Sequence, residues 1–185
     1  DHVDIDIPVG KLSAFIGSNG AGKSTLLSII SRILSRNKGS VVIDEKNLEQ
    51  WKSSELATQL SILKQSNHMN IRLTVQELVE FGRFPYSKGK LTEEDHEKVK
   101  QAMNYMNLEP LKNRYLDELS GGQRQMAYIA MIIAQDTKYI LLDEPLNNLD
   151  MHHSVTIMRT LRRMVDELGK TVVVVIHDIN FVASY

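Results

Sequence analysis

The segment Gly17-Ser18-Asn19-Gly20-Ala21-Gly22-Lys23-Ser24 fits the pattern G-x-x-x-x-G-K-[ST], and its flanks constrain the fold more than anything else in the chain. Before it, Lys11 to Ile16 reads as a strand buried on both faces. After it, Leu26, Leu27, Ile29, Ile30, Ile33 and Leu34 recur at helical spacing until Asn37-Lys38-Gly39 stops the helix. With the strands and helices that follow, strand, helix, strand joined by right-handed crossovers makes an α/β core the expected class. The glycines allow successive backbone N–H groups to face phosphate oxygens, and the helix N-terminus adds partial positive charge. Lys23 would bridge terminal phosphates, and the Ser24 hydroxyl would ligate Mg²⁺.

Further elements follow from the same periodicities. Val3, Ile5 and Ile7 alternate with Asp4 and Asp6, which predicts a half-buried antiparallel strand ended by Pro8-Val9-Gly10. Ser40 to Asp44 and Ser61 to Lys64 read as strands around a polar helix over Ser53 to Leu60. The middle of the chain is helical: Thr74-Val75-Gln76-Glu77 is a capping box, Thr92 with Glu93, Glu94 and Asp95 caps another helix, and no strand is expected between Ser66 and Thr137. Strand character returns at Tyr139 to Leu142. A helix is then expected from about Met151 to Leu168, and the β-branched run Thr171 to Ile176 suits a central parallel strand.

Three more places carry chemistry. Tyr139-Ile140-Leu141-Leu142-Asp143-Glu144-Pro145 is an apolar strand ending in two carboxylates, so Asp143 is placed to hold Mg²⁺ and Glu144 to polarise a water. Taken alone, an Asp-Glu pair there is a solvated turn; the phosphate loop gives it a role. His177 ends the strand Thr171 to Ile176 on the edge where parallel sheets bind ligands, and a γ-phosphate contact is favoured over a structural one. Ser120-Gly121-Gly122 opens a helix whose apolar face includes Met126, Ile129, Ile132 and Ile133. By itself it is a helix cap, although two residues without side chains leave amides open to an anion.

Composition narrows the classes. The 185 residues, 42% hydrophobic and 24% charged, suffice for one core with a smaller satellite. The 22 Lys and Arg are interspersed with 23 Asp and Glu, net charge -1, which argues against nucleic acid as the partner. The longest aliphatic stretch, Val172 to Ile176, is too short to span a bilayer. Zero Cys excludes disulfides and thiolate metal sites and fits a cytoplasmic setting. His2, His68, His96, His152 and His153 show no ligand-like spacing with carboxylates and read as surface residues, so no zinc site is expected.

Together the motifs resemble the ATP-binding subunit of an ABC transporter across essentially the whole chain. The resemblance implies a P-loop NTPase (RecA-like) core with a parallel sheet, a small antiparallel β part at the N-terminus and an inserted α-helical subdomain. The core would comprise 1–65 and 126–185 and the insertion about 66–125 of a single domain. Walker A would be Gly17, Ser18, Asn19, Gly20, Ala21, Gly22, Lys23 and Ser24, with Thr25 also on the ATP phosphates. Gln65 would be the Q-loop glutamine, sharing Mg²⁺ with Ser24 and Asp143. Leu119, Ser120, Gly121, Gly122 and Gln123 would be the signature motif, Tyr139 to Asp143 Walker B, Glu144 the catalytic acid, Asp150 part of the D-loop and His177 the switch histidine. Two copies would pack head to tail, each signature motif closing over the other's ATP.

Phe81-Gly82-Arg83-Phe84-Pro85-Tyr86, Leu116-Asp117-Glu118-Leu119 and Pro145-Leu146-Asn147-Asn148-Leu149-Asp150 are similar to the branch that drives iron-siderophore uptake through a FecCD-type permease. Cobalamin or haem importers of similar build, and soluble ABC ATPases outside transport, are the alternatives. The resemblance implies an integral membrane permease as partner, an extracytoplasmic substrate-binding protein acting indirectly, and a peripheral location on the cytoplasmic face of the membrane. Met69, Ile71, Phe84 and Tyr86 are expected in the permease-docking groove. No aromatic residue that could stack on adenine precedes the loop, and the chain stops soon after His177, so both ends are expected to be truncated.

Overall fold

The computed structural model describes residues 3–65 and 71–177, which leaves His2, His68 and Met69 outside the described residues. β1 (Leu12–Ile16) enters the glycine-rich loop and α1 (Lys23–Ile30) leaves it. β2 (Val42–Ile43) and β3 (Lys46–Asn47) form a two-stranded antiparallel ribbon, followed by α2 (Ser53–Gln59) and β4 (Leu60–Leu63). Then come α3 (Val75–Phe81), α4 (Phe84–Ser87), α5 (Glu93–Tyr105) and α6 (Gly121–Gln135). The chain returns to the sheet with β5 (Tyr139–Asp143), α7 (Met151–Leu168) and β6 (Thr171–Ile176).

The four longer strands form one parallel sheet in the order β1-β6-β5-β4. Every residue of β6 is buried, as its β-branched run requires of a strand flanked on both sides. Alternate residues feed two cores. Ile140, Leu142, Val172 and Val174 face the cluster built with α3, α5, α6 and α7, whereas Leu141, Val173 and Val175 face Leu27, Leu48, Leu56 and Leu60. Phe15 packs, partly buried, against this second cluster.

Four expectations need correction. Val3 to Ile7 belongs to no strand: Val3 and Ile5 are exposed and only Ile7 touches the core. Alternation specifies a face but not a ladder partner. The antiparallel part instead lies at 42–47, where Asp44 and Glu45 adopt φ 48° and 61°, the two-residue turn that matches strand twist, and the strand expected over Ser40 to Asp44 shrinks to Val42–Ile43. β1 is half-buried rather than buried on both faces, because only β6 flanks it. α1 stops at Ile30: Arg32 turns left-handed at φ 63° while its guanidinium donates to the Trp51 and Glu49 carbonyls, which leaves Ile33 and Leu34 exposed.

A buried ion pair ties down the helical region. Arg83 Nε donates to Asp95 Oδ1 at 2.8 Å, with side chains 4% and 5% exposed, and Arg83 Nη1 donates to the Ala134 carbonyl at 2.8 Å. The Thr92 amide, with the Arg83 guanidinium and the Thr92 hydroxyl, holds the Asp95 carboxyl below its ordinary range despite burial, which pushes it up. A carboxyl depressed in the folded state stabilises above its unfolded pKa of about 3.9 and loses that contribution as pH falls through the folded value. Asp95→Asn is therefore expected to cost about 1.5–3 kcal/mol at neutral pH. Thermal melts of both proteins from pH 7 to pH 2 should show the gap narrowing below about pH 4.

Candidate nucleotide site at the carboxyl edge of the sheet

Because the four strands are parallel, each delivers its carboxyl end to the same edge. There β1 leads into Gly17, β4 into Gln65 through Lys64, β5 into Glu144 and β6 into His177. In open parallel sheets this edge is where ligands bind.

Gly20 and Gly22 adopt φ 80° and 90°, conformations that side chains resist, and Gly22 caps α1 without any side-chain acceptor. No acidic residue of its own occupies the first turn of α1, so the helix itself leaves the positive potential of its amides in place for an anion. Lys23 Nζ donates to the Gly17 and Ser18 carbonyls at 2.8 and 2.9 Å, which draws the ammonium across the loop. The Ser24 hydroxyl donates to Asp143 Oδ1 at 2.7 Å, bringing together residues 119 positions apart. A hydroxyl oxygen beside a carboxylate is the oxygen-only donor pair that suits a hard cation such as Mg²⁺.

Glu144 is the most constrained residue of the site. Its backbone sits at φ 51°, a left-handed conformation costly for a side chain with a Cβ, and its amide donates to the Val175 carbonyl at 3.2 Å. Gln65 Nε2 donates to Glu144 Oε2 at 2.8 Å, and His177 Nε2 contacts Oε1. Three strands thus converge on one carboxylate that is only 11% exposed. Asn147 Nδ2 adds a longer contact to Oε2 at 3.4 Å.

The signature segment is placed differently. Ser120 caps α6 in a reciprocal box: Ser120 Oγ accepts the Gln123 amide at 3.3 Å and Gln123 Oε1 accepts the Ser120 amide at 3.1 Å. Leu119 is buried in the helical core, and Gly121 is exposed with nothing within 4 Å of the position a Cβ would take. Among the described residues no hydrogen bond joins Leu119–Gln123 to the Gly17–Thr25 loop of the same chain. At the start of α7, Asp150 caps the helix through the His153 amide at 2.8 Å and meets His153 Nδ1 at 2.7 Å. The His153 amide and ring hold the Asp150 carboxyl below its usual range.

His153 is the functional candidate that sequence reasoning missed. In the sequence it reads as a surface histidine with no ligand-like spacing to carboxylates, yet its side chain is 28% exposed and paired with Asp150, and Asp150, His152 and His153 bring ligand atoms within 4.8 Å of one another. The signal lay in the Asp150-x-x-His153 spacing, a cap followed by its own third residue. His96 and His152 are exposed as expected.

A family model described as ABC transporter matches residues 1–147. The chain belongs to the ABC transporter family. It is thereby an ATP-binding cassette of the ATP-hydrolysing kind. It is 60% identical to the petrobactin import ATP-binding protein YclP of Bacillus subtilis (strain 168) over 185 residues, covering 100% of the cassette and 73% of that relative. Identity to the ferric enterobactin transport ATP-binding protein FepC of Escherichia coli (strain K12) is 38% over 187 aligned positions, covering 100% of the cassette and 69% of that relative. Among solved structures, the dimeric post-hydrolysis state of the ATP-binding cassette MJ0796 bound to ADP and Pi superimposes with a TM-score of 0.83. It is 33% identical, with 97% of this cassette and 80% of that chain covered. Among the described residues, no helix of the cassette is long and apolar enough to cross a membrane.

Proposed function

We propose that this cassette is the Mg²⁺-dependent ATPase subunit of an importer and that it energises uptake of an iron-siderophore complex through a membrane permease. The observation that carries the catalytic reading is the convergence of Gln65 and His177 on Glu144 beside the Gly17–Thr25 loop. ATP phosphates would lie along the amides of Gly17 to Thr25, with Lys23 exchanging its two carbonyl partners for phosphate oxygens. Ser24, Asp143 and Gln65 would hold Mg²⁺, which when bound offsets negative charge on the phosphates. Glu144 accepts the proton of the attacking water, Gln65 fixes the orientation of its carboxylate, and His177 stands between that carboxylate and the γ-phosphate.

A second copy, packed head to tail, completes each site. Ser120 Oγ accepts the Gln123 amide, so its O–H is free to donate to the partner's γ-phosphate beside the amides of Gly121 and Gly122, while Asp150 reaches the partner's loop. The core would be 1–65 and 126–185, and the helical insertion 66–125 would carry the permease contact; α6 runs continuously across that boundary. Phe81 and Phe84 stack with ring centroids 5.7 Å apart, and with Ile71 and Tyr86 they expose apolar surface suited to a docking helix. The permease places the cassette on the cytoplasmic face of the membrane, and the extracytoplasmic binding protein acts through the permease alone.

The cargo assignment draws on the relatives' siderophore-import names, and affinity purification from membranes tests it. A polytopic permease should co-purify, and ATPase activity should rise when a ferric-siderophore-loaded binding protein is added to the reconstituted complex. Stimulation by cobalamin or haem instead would move the cassette to a different import branch, and recovery of nucleic acid would remove it from transport. Phe84→Ala with Tyr86→Ala is expected to reduce permease co-purification at least about tenfold, the loss of two anchoring aromatics. Undiminished recovery would place the docking surface elsewhere.

A further inference from the structure

The elements that reach the partner's nucleotide in the head-to-tail dimer, the signature motif and the D-loop, are fastened to each other within one chain by His153. Its Nδ1 meets Asp150 Oδ2 at 2.7 Å and its amide donates to Asp150 Oδ1 at 2.8 Å. The opposite side of the same ring lies against the buried Gly122. A Cβ on Gly122 would stand 2.3 Å from His153 Cδ2 and 2.7 Å from Nε2, where no side chain fits. Gly122 therefore admits an imidazole that a Cβ at this position would push aside.

We propose that His153 is a positioning residue for hydrolysis, locking Asp150 of the D-loop to Gly122 of the signature helix so that both arrive at the partner's ATP in one fixed spacing. The proposal rests on the head-to-tail dimer reading. A ring that bonds Asp150 on one side and abuts the buried Gly122 on the other couples the two elements, so that a shift of one presses on the other. Reacting groups tolerate little misplacement, since an error of about 1 Å can cost a hundredfold in rate. His153 touches no reacting atom; its action passes entirely through Asp150 and Gly122.

The test uses the intact protein, with Glu144→Gln introduced for the assembly measurements so that bound ATP is not consumed. His153→Ala is expected to keep the ATP affinity of the monomer. It should weaken ATP-driven dimerisation in sedimentation about tenfold or more and, with Glu144 restored, lower kcat while KM for ATP stays near its original value. His153→Asn, which retains a donor towards Asp150 but removes the ring from Gly122, should fall between the two and serves if the alanine variant fails to fold. A purely structural role would not lower kcat at unchanged KM while the thermal midpoint of the monomer holds, and that split is the decisive result; as a check on the contact itself, Gly122→Ala should dimerise poorly, and adding His153→Ala should recover part of the loss. If the Glu144→Gln chain stays monomeric in ATP, the dimer reading falls and takes this role with it. If that chain dimerises but the His153 variants match it, or the double variant does no better than Gly122→Ala, only the role of His153 is overturned.

Discussion

Glu144→Gln is expected to bind ATP as tightly as the native chain and to turn it over about 10²- to 10⁴-fold more slowly, the usual contribution of a positioned general base. That range corresponds to about 2.7–5.5 kcal/mol of lost transition-state stabilisation. The substitution is nearly isosteric, so Gln65 and His177 retain a partner at the same place and the φ 51° backbone keeps its hydrogen bond to Val175. What disappears is the basicity of one oxygen. Equilibrium binding of a fluorescent ATP analogue separates this from a folding defect, and steady-state phosphate release measures the loss. Unchanged turnover would remove Glu144 from the role of base.

Gly121→Ala is expected to leave the monomer intact and, on the proposed head-to-tail dimer, to lower hydrolysis by about 10²-fold or more by displacing the reacting phosphate in the partner's site. The structure separates this glycine from its neighbour. A methyl group at Gly121 meets nothing within 4 Å in its own chain, and as the first residue of α6 alanine fits the helical backbone without strain. Stability should hold. At Gly122 the same methyl collides with the His153 ring, so a defect there mixes damage within the chain and across the dimer. Thermal midpoint, ATP affinity and turnover, measured together on Gly121→Ala, isolate the contact made in trans. A variant that hydrolyses normally would contradict the head-to-tail site.

Local chemistry was legible in the sequence wherever a residue's role depends on near neighbours. The capping box at Thr74, the helix caps at Thr92 and Ser120, the helix Met151–Leu168 and the strand Thr171–Ile176 all formed where composition and spacing place them. The site residues Gly17 to Ser24, Gln65, Asp143, Glu144 and His177 gather on one edge because parallel strands share a direction, which follows from the α/β pattern itself. Long-range partners were not legible. Val3, Ile5 and Ile7 alternate like a strand but pair with none among the described residues, and the periodicity after Ile30 continues although Arg32 has already left the helix to bond the Trp51 carbonyl. His153 escaped for the same reason, since its significance comes from Gly122, 31 positions earlier on another helix.

The Arg83 anchor gives α6 a mechanical meaning. Arg83 immediately precedes Phe84 of the exposed aromatic patch and grips the Ala134 carbonyl at the far end of α6 from Ser120. Fifteen helical residues make a rod of about 22 Å. A rotation of about 5° at the anchored end sweeps the other end through about 2 Å over that length. That displacement is about twice the misplacement that already costs a hundredfold in rate. On the proposed docking reading, a permease that tilted the aromatic patch by a few degrees would work on a lever arm with Ser120, Gly121 and Gly122 at its tip.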